Sequence, residues 1–326
     1  MKTFSIANTP IEASRISFGC MTIGGSWDRS PITAETRQTA LASLHTALEQ
    51  GINFFDHADI YCIGKSEAIF SELWQTAPRL REKIYLQSKC GIRFPGDPHE
   101  GAPGRYDFSY AHIIRSVEGS LQRLKTDYLD VLLLHRPDPL VEPAEVAHAF
   151  DELHQSGKVR FFGVSNHTAA QIALLQKFLH QPLVVNQLEL NLVHTHLIDD
   201  GIIFNQDDPD RPVRNEGTLE YCRLHDITIQ AWAPLAGGFL CGRPSEQPSK
   251  RLAQATAVVA ELAADKQTSC EAVLIAWLLK HPARIQPVIG TTQPQRIQAA
   301  CTGDALELTR QEWYKLFIAG RGGPLP

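Results

Sequence analysis

Short apolar runs rich in β-branched residues recur along the chain, and each gives way to a longer stretch whose apolar positions fall three and four residues apart. A two-residue period that turns into a period of about 3.6 residues is the pattern of strands alternating with helices. Strands are predicted at 15–20, 52–55, 84–88, 128–134, 159–164, 183–187, 227–232 and 285–289. The intervening helices carry their own punctuation. Thr33 opens the first, Leu41, Leu44 and Leu48 share one face, and Gly51 stops it. Ser109 precedes Ile113, Val117, Leu121 and Leu124, while Pro143 sits in the first turn of a helix that ends before Gly157. Ser269 opens a segment carrying Val273 and Trp277 that ends at Pro282, and Thr309 with Glu312 forms a capping box before Trp313, Leu316 and Phe317. Eight βα units in succession predict an α/β fold, a single (β/α)8 TIM barrel over residues 1–326 as one domain, with an additional C-terminal helix outside the repeat. The long Gly-, Pro- and Asp-rich connections 93–107, 191–215 and 233–250 read as functional loops without regular structure.

Composition narrows the classes of function. The chain has 326 residues, 43% of them hydrophobic and 21% charged, enough apolar surface to bury a large core. Its net charge is -5, and no basic run stands out, so the electrostatic footprint of a nucleic-acid-binding protein is missing. The N-terminal decapeptide does not read as a secretory signal. The longest uncharged stretch, 227–242, is broken by Gln230, Pro234, Gly237 and Gly238 and falls short of the roughly 20 apolar residues that span a bilayer. Neither nucleic acid nor membrane is an expected partner. The seven cysteines are scattered and never form a CxxC pair, which fits free thiols in a reducing compartment, and the expected location is the cytoplasm.

In such a barrel the active site sits at the C-terminal ends of the strands. The residues there are unusually polar: Asp56, Lys89, His135, Ser165, Asn166, Gln187, and the aromatic Trp232. Any one of them taken alone reads as a satisfied core or loop residue. Together with Tyr61, five positions after Asp56, they form a constellation with a chemistry. A phenol is a poor proton donor at neutral pH, and a neighbouring ammonium lowers its pKa. Lys89 supplies the cation, Asp56 holds Lys89, and His135 bonds the same reacting oxygen, a set suited to protonating a carbonyl oxygen.

The runs Asp56-His57-Ala58-Asp59-Ile60-Tyr61, Ser88-Lys89, Leu134-His135-Arg136-Pro137, Gly163-Val164-Ser165-Asn166, Asn186-Gln187 and Ile289-Gly290-Thr291-Thr292 resemble those of the aldo-keto reductases in order and approximate spacing, across nearly the whole chain. The resemblance implies a catalytic tetrad of Asp56, Tyr61, Lys89 and His135. It also implies NADP(H) as cofactor and a small-molecule aldehyde or ketone as partner. By the same resemblance Ser165, Asn166 and Gln187 hold the carboxamide and Trp232 stacks on the nicotinamide. Cys20 and Met21 touch the cofactor from the first loop, and Ala233, Leu235, Gly237 and Gly238 approach the pyrophosphate. Gly290, Thr291, Thr292 and Arg296 lie at the adenosine phosphate. The sequence departs from the common pattern at His57, where a Thr is frequent, and at Trp232, where a Tyr is frequent. Gly290 and Ala300 stand where many members carry Lys and Asn, which weakens the expected grip on a 2′-phosphate.

Other signals carry less. The glycine-rich run from Gly19 to Ser26 lacks the Lys of a phosphate loop. His194 and His196 with Asp199 make an incomplete ligand set, and no metal is expected. Cys62 and Cys90 flank Tyr61 and Lys89, and small apolar filler is their ordinary role. Trp74 reads as core, whereas Trp27 and Phe94 are candidates for substrate contact. Two competing readings remain: a non-catalytic nicotinamide-nucleotide-binding regulatory or sensor subunit, against which the intact tetrad speaks, and a two-carboxylate hydrolase, against which Lys89 beside Asp56 speaks.

Overall fold

The structure, a computed structural model, describes residues 1–77, 79–206, 213, 217–246 and 249–326. Its strands in chain order are β1 (Thr3–Ser5), β2 (Glu12–Ser14), β3 (Ser17–Gly19), β4 (Phe54–Asp56), β5 (Tyr85–Cys90), β6 (Ile92–Arg93), β7 (Arg105–Tyr106), β8 (Leu129–Leu134), β9 (Val159–Ser165), β10 (Leu183–Glu189), β11 (Thr228–Trp232) and β12 (Gln286–Ile289). Eight of them close into a barrel in the order β3-β4-β5-β8-β9-β10-β11-β12, and β12 returns to β3 by pairing Val288 with Ser17 and Ile289 with Phe18. Every barrel pair is parallel. The fold is therefore the (β/α)8 barrel that the alternation of periods predicts, and each predicted run overlaps a barrel strand within a residue or two.

The helix signals act as their chemistry requires. The side chains of Thr33, Ser109 and Ser269 each accept from a backbone N–H three residues on, and Thr309 with Glu312 closes a reciprocal capping box. Between barrel and helices lies the main core, which includes Trp277 stacked on Trp313 at 5.5 Å, with the Trp313 indole donating to the Trp277 carbonyl at 3.0 Å. Full burial of such side chains contributes roughly 1.5–3 kcal/mol each before entropy is counted.

Several elements depart from the sequence reading. The first residues form an antiparallel hairpin, β1 with β2. Ile6, Ile11 and Ala13 from that hairpin pack against Phe54, Val131, Leu133, Val184 and Val185, closing the N-terminal end of the barrel. Within the expected loop 93–107, β6 pairs with β7, and Arg93 clamps the hairpin through Asp97 at 2.8 Å and Asp107 at 2.7 Å. The connection 191–215 contains a helix, His196–Ile203. Eight residues are too few to display a clear 3.6 period, so only packing fixes it. Residues 207–212 and 214–216 of that connection lie outside the described residues. The connection 233–250 begins with a 3₁₀ turn, Ala236–Cys241, and leads into a long helix, Lys250–Asp265. That helix packs on the last one, Arg310–Arg321, which is the additional C-terminal helix that the sequence predicts. No helix among the described residues is long and apolar enough to cross a membrane.

The last helix is seated by a close backbone approach. A Cβ on Gly320 would lie 2.0 Å from the carbonyl oxygen of Leu192, and the Arg321 guanidinium, buried one residue further on, bonds Asp199 at 3.0 Å. Gly320→Ala is expected to push this helix off the barrel, costing about 1–3 kcal/mol as an overpacking change. A thermal melt checks this: the midpoint should fall by several degrees, and an unchanged midpoint would contradict the close approach.

Candidate active site

Parallel strands bring their C-terminal ends to one rim, and the candidate residues converge there. Asp56 ends β4, Lys89 is the penultimate residue of β5, His135 follows β8, and Tyr61 opens the turn Tyr61–Gly64 after β4. Lys89 is 1% exposed. An ammonium has three donors and no acceptor, so burial is tolerated only when each N–H finds a partner. Lys89 Nζ donates to the Asp56 carboxylate at 2.7 Å, to the His57 carbonyl at 2.9 Å and to the Tyr61 hydroxyl at 2.9 Å. The sequence-predicted tetrad is thus brought together, with Lys89 at its centre and the Tyr61 and His135 rings edge to face at 5.9 Å.

The electrostatics assign a protonation state to each group. Burial pulls the Lys89 pKa down, but the Asp56 charge and the Tyr61 oxygen outweigh it and the net direction is up. Burial pushes the Tyr61 phenol up, Lys89 pulls it back, and Asp56 adds to the rise. The net is upward, opposite to the direction read from the ammonium alone, because desolvation and Asp56 together exceed the attraction of Lys89. Tyr61 therefore carries its proton at neutral pH. His135 lies well below the ordinary histidine value through burial, Lys89 and Arg136, so its ring is neutral.

The chain after Tyr61 is strained. Cys62 and Ile63 adopt left-handed backbone angles, φ 48 and 57, which cost about 1–3 kcal/mol each for side chains with a Cβ. Contacts compensate: the Cys62 thiol donates to the carbonyls of Met21 and Gly25, both at 3.2 Å. A Cβ on Gly24 would lie 2.6 Å from the Cys62 Cβ, so the first loop and the Tyr61 turn pack directly together. Burial pushes the thiols of Cys20, Cys62 and Cys90 up, which makes them filler rather than reactive sulfur. Trp27, 46% exposed, meets Tyr61 edge on at 6.4 Å and forms part of the mouth wall. Phe94 stands exposed just beyond β6, on the hairpin that follows β5.

The candidate cofactor residues divide into two groups. The first is a hydrogen-bonded lattice around the rim. Ser165 donates to the Gln187 carbonyl at 2.9 Å, Asn166 donates to the His135 carbonyl at 3.2 Å, and the Trp232 indole donates to Asn166 Oδ1 at 3.1 Å. Asn166 holds a left-handed φ of 62, which Asn tolerates better than most residues. Asn191, which the sequence reading did not single out, holds the Ala233 carbonyl at 3.1 Å. Cys20 is fully buried, whereas Met21 is exposed on the first loop.

The second group surrounds Gly238. Leu235 precedes the turn in which Gly237 and Gly238 have φ 66 and 87, values open to glycine at little cost. A Cβ on Gly238 would lie 3.5 Å from the Arg296 guanidinium and 3.8 Å from Arg243. Arg243 donates to the Gly237 carbonyl at 3.2 Å and is a second cation that the sequence reading missed. Arg296 also forms an ion pair with Glu271 at 3.3 Å, which would compete with any phosphate for its guanidinium. Gly290, Thr291 and Thr292 lead into the helix Pro294–Thr302, whose first turn contains Arg296 and has no side-chain cap. Among the candidate metal ligands, Asp199 is taken by Arg321 and Thr195.

Beneath the rim the lumen holds what strand ends alone could not reveal. Gln87, Gln230 and Gln286, which the sequence reading did not name as site residues, point inward and are buried. Gln187, named there for the carboxamide, does the same, and its amide nitrogen bonds Asp56 and Gln230. Each of Gln87 and Gln230 stands two residues before a rim residue, Lys89 and Trp232, so the period of two placed them on the same inner face. Interior barrel layers are usually branched aliphatics, and that expectation hid them.

Comparison with known proteins follows the same lines. The family model described as "Aldo/keto reductase family" matches residues 15–317. The oxidoreductase YdhF of Escherichia coli is 40% identical over 302 residues, 93% of this chain and 94% of that protein. The 6-dehydroglucose reductase of Agrobacterium fabrum is 36% identical over 313 residues, covering 96% of each chain. A glycerol dehydrogenase structure from Gluconobacter oxydans superposes with a TM-score of 0.80 at 23% identity, over 100% of this chain and 98% of that one, a likeness of fold. A family model that spans nearly the whole chain, together with relatives of 36–40% identity over more than nine tenths of it, shows that this chain belongs to the aldo/keto reductase family.

Proposed function

We propose that the protein reduces the carbonyl of a small aldehyde or ketone with hydride from NADPH, as a single catalytic domain spanning residues 1–326 in the cytoplasm. The observation that carries this reading is the Lys89 ammonium bonded at once to Asp56, the His57 carbonyl and the Tyr61 hydroxyl. That geometry supports Tyr61 as the general acid. Its raised pKa keeps the proton in place until negative charge develops on the substrate oxygen, and the neighbouring ammonium then stabilises the phenolate that remains. Asp56 keeps Lys89 charged and aimed. His135, neutral, contributes a hydrogen bond to the same oxygen without adding a competing cation. Trp27 and the rim aromatics exclude water from one side of the reacting carbonyl.

The residues present fit a nicotinamide dinucleotide. Trp232 offers a half-buried aromatic face, the Gly237–Gly238 turn leaves room where a side chain would intrude, and Arg243 and Arg296 place two guanidiniums beside it. When bound, the reduced nicotinamide supplies a hydride to the carbonyl carbon while Tyr61 supplies the proton to the oxygen. The E. coli and A. fabrum relatives, named as an oxidoreductase and a 6-dehydroglucose reductase, support the reaction class, and an oxidised sugar belongs on the test panel.

The assay is oxidation of NADPH by purified protein with a panel of aldehydes and ketones. Tyr61→Phe should abolish turnover by several orders of magnitude while leaving nucleotide affinity near wild type, since only the hydroxyl is lost. Near-normal turnover in Tyr61→Phe would remove Tyr61 as the acid, and tight nucleotide binding without turnover on any carbonyl would favour the sensor reading. A second expectation concerns the cofactor. Arg296 should leave Glu271 and clamp a 2′-phosphate, so Arg296→Ala should weaken NADPH by about 1.5–3 kcal/mol, the range for hydrogen bonds to charged groups, and NADH by far less. Equal losses for the two nucleotides, measured as dissociation constants, would sink the phosphate clamp.

A further inference from the structure

The strand register sets Gln187 beside Gln230 and Gln230 beside Gln286, and sets Asp56 beside Gln87. In the barrel order β10 lies opposite β4 and β11 lies opposite β5, so the Gln187–Asp56 and Gln87–Gln230 bonds cross the lumen. Gln87 Nε2 donates to Asp56 Oδ1 at 2.6 Å and to Gln230 Oε1 at 2.8 Å. Gln187 Nε2 makes the same two bonds, each at 3.0 Å. The two amides therefore bridge one carboxylate oxygen and one amide oxygen in a closed ring. Gln230 Nε2 then donates to Gln286 Oε1 at 2.9 Å, and Gln286 Nε2 donates to the Ser14 carbonyl at 2.8 Å, where β2 ends.

Amide orientation is normally a choice between near-isosteric ends. Here both ends of the chain remove that choice. The Ser14 hydroxyl is taken by Ile16 and Asn53 and its N–H by Asn53, so only its carbonyl faces Gln286, which must present its nitrogen and leave its oxygen for a donor that Gln230 supplies. Gln230 then offers its oxygen to Gln87 and Gln187, whose remaining N–H bonds meet Asp56. The polarity that satisfies the floor of the barrel is the polarity that presents two N–H donors to a carboxylate. Gln87 Oε1 is left buried without a partner. Reversing Gln87 would turn that oxygen toward Asp56, acceptor against acceptor, so the orphan is retained.

We propose that Gln87 and Gln230 are positioning residues of this active site: the amide crosspiece fixes the Asp56 carboxylate so that Lys89 remains bonded to Tyr61. Gln87 acts on Asp56 directly, and Gln230 acts through Gln87 and Gln187. The proposal rests on the reductase reading for its kinetic consequence and stands apart from it in its structural one. Without the crosspiece Asp56 loses hydrogen bonds, draws the ammonium more strongly to itself, and loosens its contact with the phenol. The Tyr61 pKa then rises further.

Gln230→Met and Gln87→Met, close in volume to the native side chains, test this. With a carbonyl substrate and NADPH at saturation, kcat should fall about tenfold in Gln87→Met, the loss of one hydrogen bond to a charged group, and several-fold in Gln230→Met, whose lost bonds join neutral amides, with KM near wild type and the basic limb of the kcat profile moved to higher pH in both. The readout independent of turnover is NMR of isotope-labelled tyrosine. The Tyr61 signal, assigned by its absence in Tyr61→Phe, should shift in the direction that Lys89→Met shifts it. A Tyr61 signal and a pH profile unchanged in folded Gln230→Met, with only the melting midpoint lowered, would overturn the proposal and leave the amides as core filler. If one variant fails to fold, the other gives the same readings. Wild-type protein that turns over no carbonyl would defeat the reductase reading alone, since the tyrosine signal still decides the crosspiece.

Discussion

The interaction on which the rest of this site depends is the burial of one ammonium. Lys89 lies in a closed lumen with almost no access to water, where an unpaired cation would lose its proton or unfold its surroundings. Every partner it uses comes from a different level of the structure. Asp56 is supplied by the neighbouring strand, the His57 carbonyl by the turn that follows, and Tyr61 by the strained segment beyond. A displacement of any of these leaves a buried charge short of a bond, so the ammonium couples the barrel, the loop and the acid into one unit.

That coupling explains features with no obvious role of their own. The left-handed angles at Cys62 and Ile63 return the chain toward the first loop, and the thiol bonds to Met21 and Gly25 hold it there. Burial raises the Tyr61 pKa and keeps His135 neutral, so a protonated phenol and an uncharged imidazole meet edge to face beside the Lys89 ammonium. Beneath them the lumen carries amides where aliphatic layers are usual, because a carboxylate that receives only one partner at Lys89 would still leave lone pairs to satisfy.

The rim around Gly238 is built differently. Its cations are already occupied: Arg296 by Glu271 and Arg243 by the Gly237 carbonyl. The Arg296–Glu271 pair is partly buried, with the Glu271 side chain 13% exposed. Glu271 therefore holds the Arg296 guanidinium near Gly238.

The barrel, the order of its strands and the grouping of Asp56, Tyr61 and His135 around Lys89 could all be read from the sequence, because each is written in local chemistry. A period of two followed by one near 3.6 specifies βα units, cap residues such as Thr33 and Thr309 satisfy nearby backbone groups, and polar residues at the ends of apolar runs must meet at one rim once the strands are parallel. What only the tertiary structure decided involves distance across the lumen or contact between remote segments. The N-terminal hairpin and the helix His196–Ile203 are too short for a period to declare them, and they form because Ile6, Ile11 and Asp199 find partners far along the chain. The sign of the Tyr61 shift depended on how completely its surroundings exclude water, which no neighbour in sequence reports. The amide crosspiece joins strands on opposite sides of the barrel, so Gln87 and Gln230 acquire their meaning only when the sheet closes.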